Sequence, residues 1–203
     1  GTMWDFPDNR HIQNLVQEFE AQQKLVGAVC HGPAALANVI LADGTPFLAG
    51  KKVTGFTNEE ELFLIPDAAT VFPFLLEDRL REQGGDVVVG LPYLENIAVS
   101  DGLVTGQNPW SVYATAEAMV SQLGYVPVPR VATGDENSVE VLLQYHLLGK
   151  VGARESLDAF VDTQAAINRN LIIVHGVMAA MQWRVKSALE LLVLAQHAKS
   201  LAG

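Results

Sequence analysis

The sequence predicts an α/β protein with a mostly parallel sheet flanked by helices, followed by a C-terminal all-helical extension. Apolar segments of strand length alternate with helical patterns through residues 1–124. The segment 25–29 has no polar alternation, which is typical of a strand buried on both faces of a parallel sheet. After residue 130 no segment has a strand pattern. We therefore predict an α/β domain over residues 1–130 and a helical extension over 131–203.

Five segments have the composition and length of strands, and the last two flank Asp101-Gly102, a dipeptide typical of a hairpin turn. The predicted strands cover residues 25–29, 52–54, 86–89, 96–100 and 103–105. Since ligands of parallel sheets bind at the carboxyl ends of strands, the residue after 25–29 is a candidate for function.

Helical periodicity fills the intervals between these strands, whereas residues 1–5 have the composition of a loop. Pro7-Asp8 is expected to open a helix whose apolar face comprises Ile12, Leu15, Val16 and Phe19. Asn58 or Thr57 is the expected cap of a short acidic helix. The remaining helices are predicted over 33–41, 59–64, 73–83 and 109–123.

Three helices are predicted in the extension, over 138–148, 155–168 and 171–201. In the last, apolar residues keep a spacing of three and four from Leu171 to Ala195, which indicates a packing or self-association seam. The three histidines of the extension are too far apart in sequence for a local metal-ligand motif. The sequence assigns the extension no function.

Charge and cysteine content exclude several classes of protein. The formal net charge is -10, and residues 1–130 carry most of it. Such a charge argues against a nucleic-acid partner and against an anionic membrane surface. The longest apolar run, 171–181, is too short to span a bilayer. The single cysteine excludes an internal disulfide and fits a reducing, cytoplasmic compartment.

That cysteine, Cys30, directly follows the first predicted strand and precedes a helix. A thiol on such a turn resembles a nucleophile elbow, and we expect the helix N-terminus to favour the thiolate. Gly27 and Gly32 are expected to allow the sharp turn, with Pro33 in the first helical turn. A lone cysteine is otherwise most often a small buried hydrophobic residue, and that alternative stays open here.

Four sequence blocks, in order, resemble the ThiJ/PfpI superfamily and, more narrowly, its glyoxalase III branch of D-lactate dehydratases and chaperone-like deglycases. The blocks cover residues 1–5, 28–36, 50–61 and 103–109, so the resemblance ends near residue 124. It implies a flavodoxin-like α/β sandwich, usually a homodimer, which needs no metal or organic cofactor.

The resemblance also implies the site residues. The family's nucleophile matches Cys30, its histidine matches His31, and its acidic residue falls on Glu61, with Glu59 and Glu60 as alternatives. The alternative is a purely structural role, in which His31 caps a helix and the three glutamates form a solvated first helical turn. Backbone N–H groups of Cys30 and His31 are the expected oxyanion donors.

Two departures from the family are expected to limit activity. A first βαβ region, with a second glutamate and oxyanion-loop glycines, would precede Gly1. The helical extension lies outside the resemblance. We therefore expect weak or no turnover from these 203 residues.

The predicted activity is conversion of methylglyoxal, a small 2-oxoaldehyde, to lactate through a cysteine hemithioacetal, with protein deglycation as a related activity. The alternatives are a redox-responsive holdase chaperone, a cysteine peptidase and an inactive fragment. A glutamine amidotransferase is disfavoured because no histidine after Cys30 begins a His-x-Glu motif.

Overall fold

The structure is a computed structural model that describes the backbone of residues 1–201 and the side chains of residues 1–199. The described chain divides into two units, the first Gly1–Val128 and the second beginning at Pro129. The first unit is mixed α/β and the second is helical, so the predicted fold class is confirmed. In the described residues no helix combines the length and apolar character needed to span a membrane.

The central sheet of the first unit has three strands in the order β1-β5-β4: β1 (Val26–Val29), β4 (Ile97–Ser100) and β5 (Leu103–Gly106). Strand β5 pairs in parallel with β1 and antiparallel with β4. Two further strands, β2 (Lys52–Val53) and β3 (Asp86–Val87), pair in parallel. All five predicted strands are therefore confirmed, four with shorter bounds and β5 one residue longer, and Asp101-Gly102 forms the predicted turn.

The helices of the first unit cover one short N-terminal turn and five later segments. They are α1 (Thr2–Asp5), α2 (Arg10–Ala21), α3 (Asn58–Leu64), α4 (Ala68–Val71), α5 (Leu76–Glu82) and α6 (Val112–Gln122). The expected loop at residues 1–5 is wrong, because the Gly1 carbonyl accepts from the N–H groups of Trp4 and Asp5 and closes a helical turn. Helix α2 begins after Asn9 rather than at Pro7-Asp8, since the Asn9 side chain accepts from two backbone N–H groups.

The segment after Cys30 also differs from its prediction. A 3₁₀ helix covers Gly32–Leu36, where an α-helix over 33–41 was expected. Its hydrogen bonds join residues three apart, as from Ala34 N–H to the His31 carbonyl. The chain then leaves the helix because Ile40 forms an isolated antiparallel bridge with Pro46. Another 3₁₀ turn, Pro109–Ser111, precedes α6.

The core of the first unit lies between the sheet and its helices. Four of its leucine and valine side chains are fully buried: Leu48, which precedes β2, Leu80 of α5, and Leu103 and Val104 of β5. Burial of each such side chain stabilises the fold by about 1.5–3 kcal/mol. This core fixes the carboxyl ends of β1 and β5 side by side.

The second unit comprises α7 (Gly134–Asp162), α8 (Arg169–Met181) and α9 (Val185–Leu201). The predicted helix over 155–168 is the second half of α7, which bends at Gly149, where φ is 71°. The single helix predicted over 171–201 is wrong. Trp183 has a φ of 60°, and the N–H of Arg184 bonds back to the Ala179 carbonyl, so the chain turns between α8 and α9.

The predicted apolar seam is divided by this turn. Met178, Ala188 and Ala195 are buried, but Val174 and Met181 are 51% and 64% exposed. The seam is thus partly the packing surface of α8 against α9. Self-association through it stays a prediction.

Candidate active site

The turn after β1 is made by Cys30 itself, whose φ is 61°. A non-glycine residue with positive φ costs of order 1–3 kcal/mol and persists only where its surroundings hold it. Here the Cys30 N–H donates to the Gly106 carbonyl at 2.9 Å, and the Cys30 carbonyl accepts from the Phe56 N–H at 2.9 Å. The neighbouring strand and loop therefore fix the half-buried Cys30 in this turn.

Gly27 and Gly32, which were expected to permit the sharp turn at Cys30, do not form it. A Cβ on Gly27 would lie 2.3 Å from the Met119 sulfur, so Gly27 provides space for α6 against β1. A Cβ on Gly32 would lie 3.5 Å from the nearest heavy atom outside its own neighbours, which is ordinary contact. Neither has a positive φ.

The structure brings the three predicted site residues into one chain of contacts. The Cys30 Sγ atom lies 3.4 Å from Nδ1 of His31, and Nε2 of His31 lies 2.5 Å from Oε2 of Glu61. The side chain of Glu61 is almost fully buried and that of His31 is about a quarter exposed. The order of the contacts, from thiol to imidazole to carboxylate, is the one that a nucleophile, its base and an orienting acid have in catalytic triads.

Among the three adjacent glutamates, only Glu61 contacts His31. Glu59 is exposed, and Glu60 belongs to a different hydrogen-bond network. The interpretation of this segment as a solvated helical turn therefore applies to Glu59 alone. His31 occupies the N-cap position of the 3₁₀ helix, but its side chain makes no capping hydrogen bond.

The start of α3 explains why Glu61 points at the site. Thr57 and Glu60 form a capping box, in which the Thr57 hydroxyl accepts from the Glu60 N–H and the Glu60 carboxylate accepts from the Thr57 N–H. This reciprocal pair fixes the first turn of α3. Glu61 is the next residue on that turn.

Glu60, which the sequence offered only as an alternative to Glu61, is fully buried and has a different set of partners. Its carboxylate also accepts from the Tyr93 N–H at 2.7 Å and from Asn108 Nδ2 at 2.9 Å. The Tyr93 hydroxyl donates to the Glu60 carbonyl at 2.5 Å. The sequence signal was the spacing Thr57-x-x-Glu60, which is typical of a capping box.

The electrostatics of the thiol differ from the expectation. Burial raises the pKa of the Cys30 thiol to about 11, a backbone hydrogen bond from His31 opposes this, and the charges of Glu60 and Glu61 reinforce it. The field expected from a following α-helix is weak, since that helix is a 3₁₀ segment of five residues. The resting sulfur therefore holds its proton, with His31 placed to accept it.

The expected oxyanion donors are also revised. The Cys30 N–H is engaged by the Gly106 carbonyl, and the His31 N–H bonds to the Cys30 sulfur. The Cys30 N–H is therefore not available to a substrate oxygen in this conformation. The His31 N–H instead stabilises negative charge on sulfur.

Aromatic rings surround one side of His31. Its ring centroid lies 4.7 Å from that of Phe56 and 6.5 Å from that of Phe72, and Trp4 lies 5.0 Å from Phe72. Trp4 is half exposed. A small ligand at the thiol would therefore meet an apolar surface beside the polar relay.

The fold and the site together define a class: an α/β protein in which an elbow cysteine is linked to histidine and glutamate. Comparison with known proteins agrees. The chain is 33% identical over 127 residues to the glutathione-independent glyoxalase HSP31 of Saccharomyces cerevisiae, covering 61% of this chain and 54% of that protein. Glyoxalase 3 of Candida albicans is 34% identical over 128 residues, 60% of this chain and 53% of that protein.

Solved structures give the same relationship. The crystal structure of glyoxalase III from Candida albicans matches with a TM-score of 0.56 and 28% identity, over 59% of this chain and 52% of that one. No family model matches. The resemblance predicted from the sequence is thus confirmed, and the chain spans about half the length of the curated relatives it matches.

A further structural likeness extends over both units. A two-domain protein from Anabaena variabilis, with DJ-1/ThiJ/PfpI-like and ferritin-like domains, matches 98% of this chain and 54% of that one, with a TM-score of 0.51 and 20% identity. At that identity the likeness concerns the fold alone. Ferritin-like folds often hold two metal ions through Glu-x-x-His motifs.

The side chains present here do not fit such a metal centre. The helical unit contains no Glu-x-x-His sequence. Within residues 1–199 no group of three or more histidine, cysteine or acidic side chains is arranged to hold a metal ion. We therefore derive no metal chemistry for this unit.

Proposed function

We propose that this chain carries the Cys-His-Glu half of a glutathione-independent glyoxalase site, which converts methylglyoxal to lactate without an added cofactor. The observation that carries the proposal is the continuous contact from the Cys30 sulfur through both ring nitrogens of His31 to Glu61. The likeness to glutathione-independent glyoxalases over 61% of the chain supports the substrate class, small 2-oxoaldehydes.

The first step is addition of the thiol to the aldehyde carbon. As the bond from sulfur to carbon forms, the Cys30 proton passes to Nδ1 of His31, which lies 3.4 Å from the sulfur. Glu61 at Nε2 stabilises the resulting imidazolium. Transfer of that proton to the former aldehyde oxygen completes a neutral hemithioacetal.

The second step moves a proton between adjacent carbons. A base removes the proton from the hemithioacetal carbon, and an enediol forms. Reprotonation at the former ketone carbon gives a thioester of lactate. The redox change is internal, since one carbon is oxidised while its neighbour is reduced. His31 is the titratable group closest to the sulfur and is the proposed carrier of this proton.

The third step is hydrolysis. Water adds to the thioester carbonyl, the bond from carbon to sulfur breaks, and the Cys30 thiol is regenerated together with lactate. The net reaction is methylglyoxal plus water to lactate. Deglycation of protein-bound hemithioacetals or aminocarbinols would use the same nucleophile, and we propose it as a related activity. We also propose a homodimer in the cytoplasm as the working form.

The proposal is tested by covalent trapping as well as by turnover. The intact chain is mixed with methylglyoxal, and both lactate formation and a reversible adduct on Cys30 are followed, the latter by mass spectrometry. We expect the adduct in the parent and its loss in Cys30→Ser and His31→Asn. The matched control His11→Gln changes an exposed histidine of the same unit and should leave the adduct unchanged.

Absence of a methylglyoxal adduct on Cys30 of the parent, or equal adduct formation in Cys30→Ser, would refute the proposal. Rapid peroxide oxidation of Cys30 without any aldehyde adduct would favour the redox-responsive chaperone instead. Hydrolysis of casein that depends on Cys30 would favour the peptidase.

A further inference from the structure

The second unit contains a cavity of about 240 Å³ where the bend of α7, the middle of α8 and the first turn of α9 meet. Tyr145 and His146 line it from α7, His175 from α8, and Arg184 and Lys186 from the start of α9. The walls are thus mainly polar and cationic.

The two cations at its mouth are free of ion pairs with the described residues. Neither Arg184 nor Lys186 forms a salt bridge within residues 1–199. The positive charge of Arg184 acts on the cavity, because together with burial it lowers the pKa of His146. Both cations are exposed.

The single carboxylate of the cavity wall is already engaged. Glu190 Oε2 accepts a hydrogen bond from the Tyr145 hydroxyl at 2.7 Å. A side-chain hydrogen bond also links Tyr145 to Ser187. Hydroxyl groups therefore complete a wall rich in hydrogen-bond donors, with one buried imidazole, that of His175, which is 6% exposed.

The backbone around the cavity also favours binding of a small anion. Gly149 interrupts α7 with a φ of 71°, and a Cβ there would meet no atom within 4 Å, so the bend leaves open space beside the cavity. The first turn of α9, a helix of 17 residues, lines the opposite side through Lys186 and Ser187. A helix N-terminus favours negative charge.

We propose that this cavity binds a small oxyanion, a carboxylate or phosphate group, with Arg184 and Lys186 as its charged contacts. The volume decides the size of the ligand. At about 30 Å³ of liquid volume per water molecule, 240 Å³ holds a metabolite of a few heavy atoms and excludes a macromolecule. Nothing in the proposed glyoxalase chemistry of the first unit requires this site, so the two proposals stand independently.

The experiment titrates the intact chain with inorganic phosphate and, separately, with lactate, at constant ionic strength maintained with chloride. The ring proton resonances of His146 and His175 report on the cavity. We expect saturable shifts with at least one of the two anions and none with added chloride. A response to phosphate alone assigns a phosphate site, and a response to lactate alone assigns a carboxylate site.

Variants separate a built site from general charge attraction. Arg184→Gln should weaken binding about tenfold or more, as expected for loss of one charge-assisted hydrogen bond. The matched control Lys199→Gln removes one exposed positive charge at the far end of α9 and should leave affinity unchanged. Absence of saturable shifts with both anions would overturn the proposal, and so would equal weakening by the two variants.

Discussion

Nε2 of His31 lies 2.5 Å from Oε2 of Glu61, although 29 residues separate them in the chain. The contact depends on two local devices at opposite ends. Cys30 adopts a positive φ that turns the chain directly before His31, and the Thr57–Glu60 capping box fixes the first turn of α3. The contact between His31 and Glu61 therefore depends on two local structures: the strained turn at Cys30 and the capped first turn of α3.

The first prediction concerns the protonation of the thiol. Because the pKa of Cys30 is raised to about 11, its thiolate fraction is small at neutral pH and increases with each pH unit up to that value. The rate of alkylation by iodoacetamide should therefore keep rising through pH 8–10. The unfolded chain in denaturant serves as control and should level off near the ordinary pKa of about 8.5. A plateau below pH 8 in the folded chain would contradict the assigned resting state.

The second prediction concerns Glu61. Its replacement by glutamine keeps the shape but removes the charge that stabilises the imidazolium, so formation of the hemithioacetal should slow about 10²-fold. The rate is measured by stopped-flow mixing with methylglyoxal. Glu59→Gln removes the same charge from the exposed neighbouring position and should change the rate less than threefold. Similar effects of both substitutions would show that the contact with His31 has no role.

The third prediction concerns Glu60 and the stability of the first unit. Its carboxylate accepts from Thr57, Tyr93 and Asn108 in a fully buried environment. Glu60→Ala leaves these donors unsatisfied and should lower the free energy of unfolding by about 3 kcal/mol or more. The measurement is urea unfolding followed by circular dichroism. Glu59→Ala should cost less than about 1 kcal/mol, the usual effect of a charge near a helix terminus.

The fourth prediction concerns the cap of α7. The pKa of Glu136 is lowered to about 2, chiefly by the hydrogen-bonded guanidinium of Arg130, and Thr133 adds to the effect. A carboxyl whose folded pKa lies below its unfolded value stabilises the fold above the unfolded pKa and loses this contribution as pH falls. The stability advantage of the parent over Glu136→Gln should therefore be complete at pH 6 and disappear between about pH 4.5 and pH 2.

Urea midpoints of both proteins across this pH range test the assignment. If the parent remains more stable than Glu136→Gln by the same amount down to pH 2, the ion pair between Arg130 and Glu136 is not the source of that stability. Thr133→Ala tests the other half of the capping box and should cost about 1 kcal/mol at pH 6. The part of this cost that comes from the Thr133 hydroxyl donating to the Glu136 carboxylate should be lost as the carboxylate is protonated.

Much of the first unit was determined by local sequence. The five strands, the Asp101-Gly102 turn and the helices of residues 10–21 and 58–64 follow from apolar periodicity, turn chemistry and caps, all of which act over a few residues. Cys30, His31 and Glu61 were also identifiable from sequence, through the blocks that resemble glyoxalase III. Predicting these features requires only the neighbouring residues in the chain or a match to a known sequence pattern.

Tertiary structure decided the features that depend on partners far away in the chain. The helical segment after Cys30 ends at Leu36, and Ile40 instead pairs with Pro46. The thiol keeps its proton because it is buried and because the carboxylates of Glu60 and Glu61, which are distant in sequence, lie near it. The helix predicted over 171–201 folds back at Trp183, where periodicity alone gave no break. The choice of Glu61 over Glu59 and Glu60 likewise came from helix orientation, since adjacent residues point in different directions around a helix.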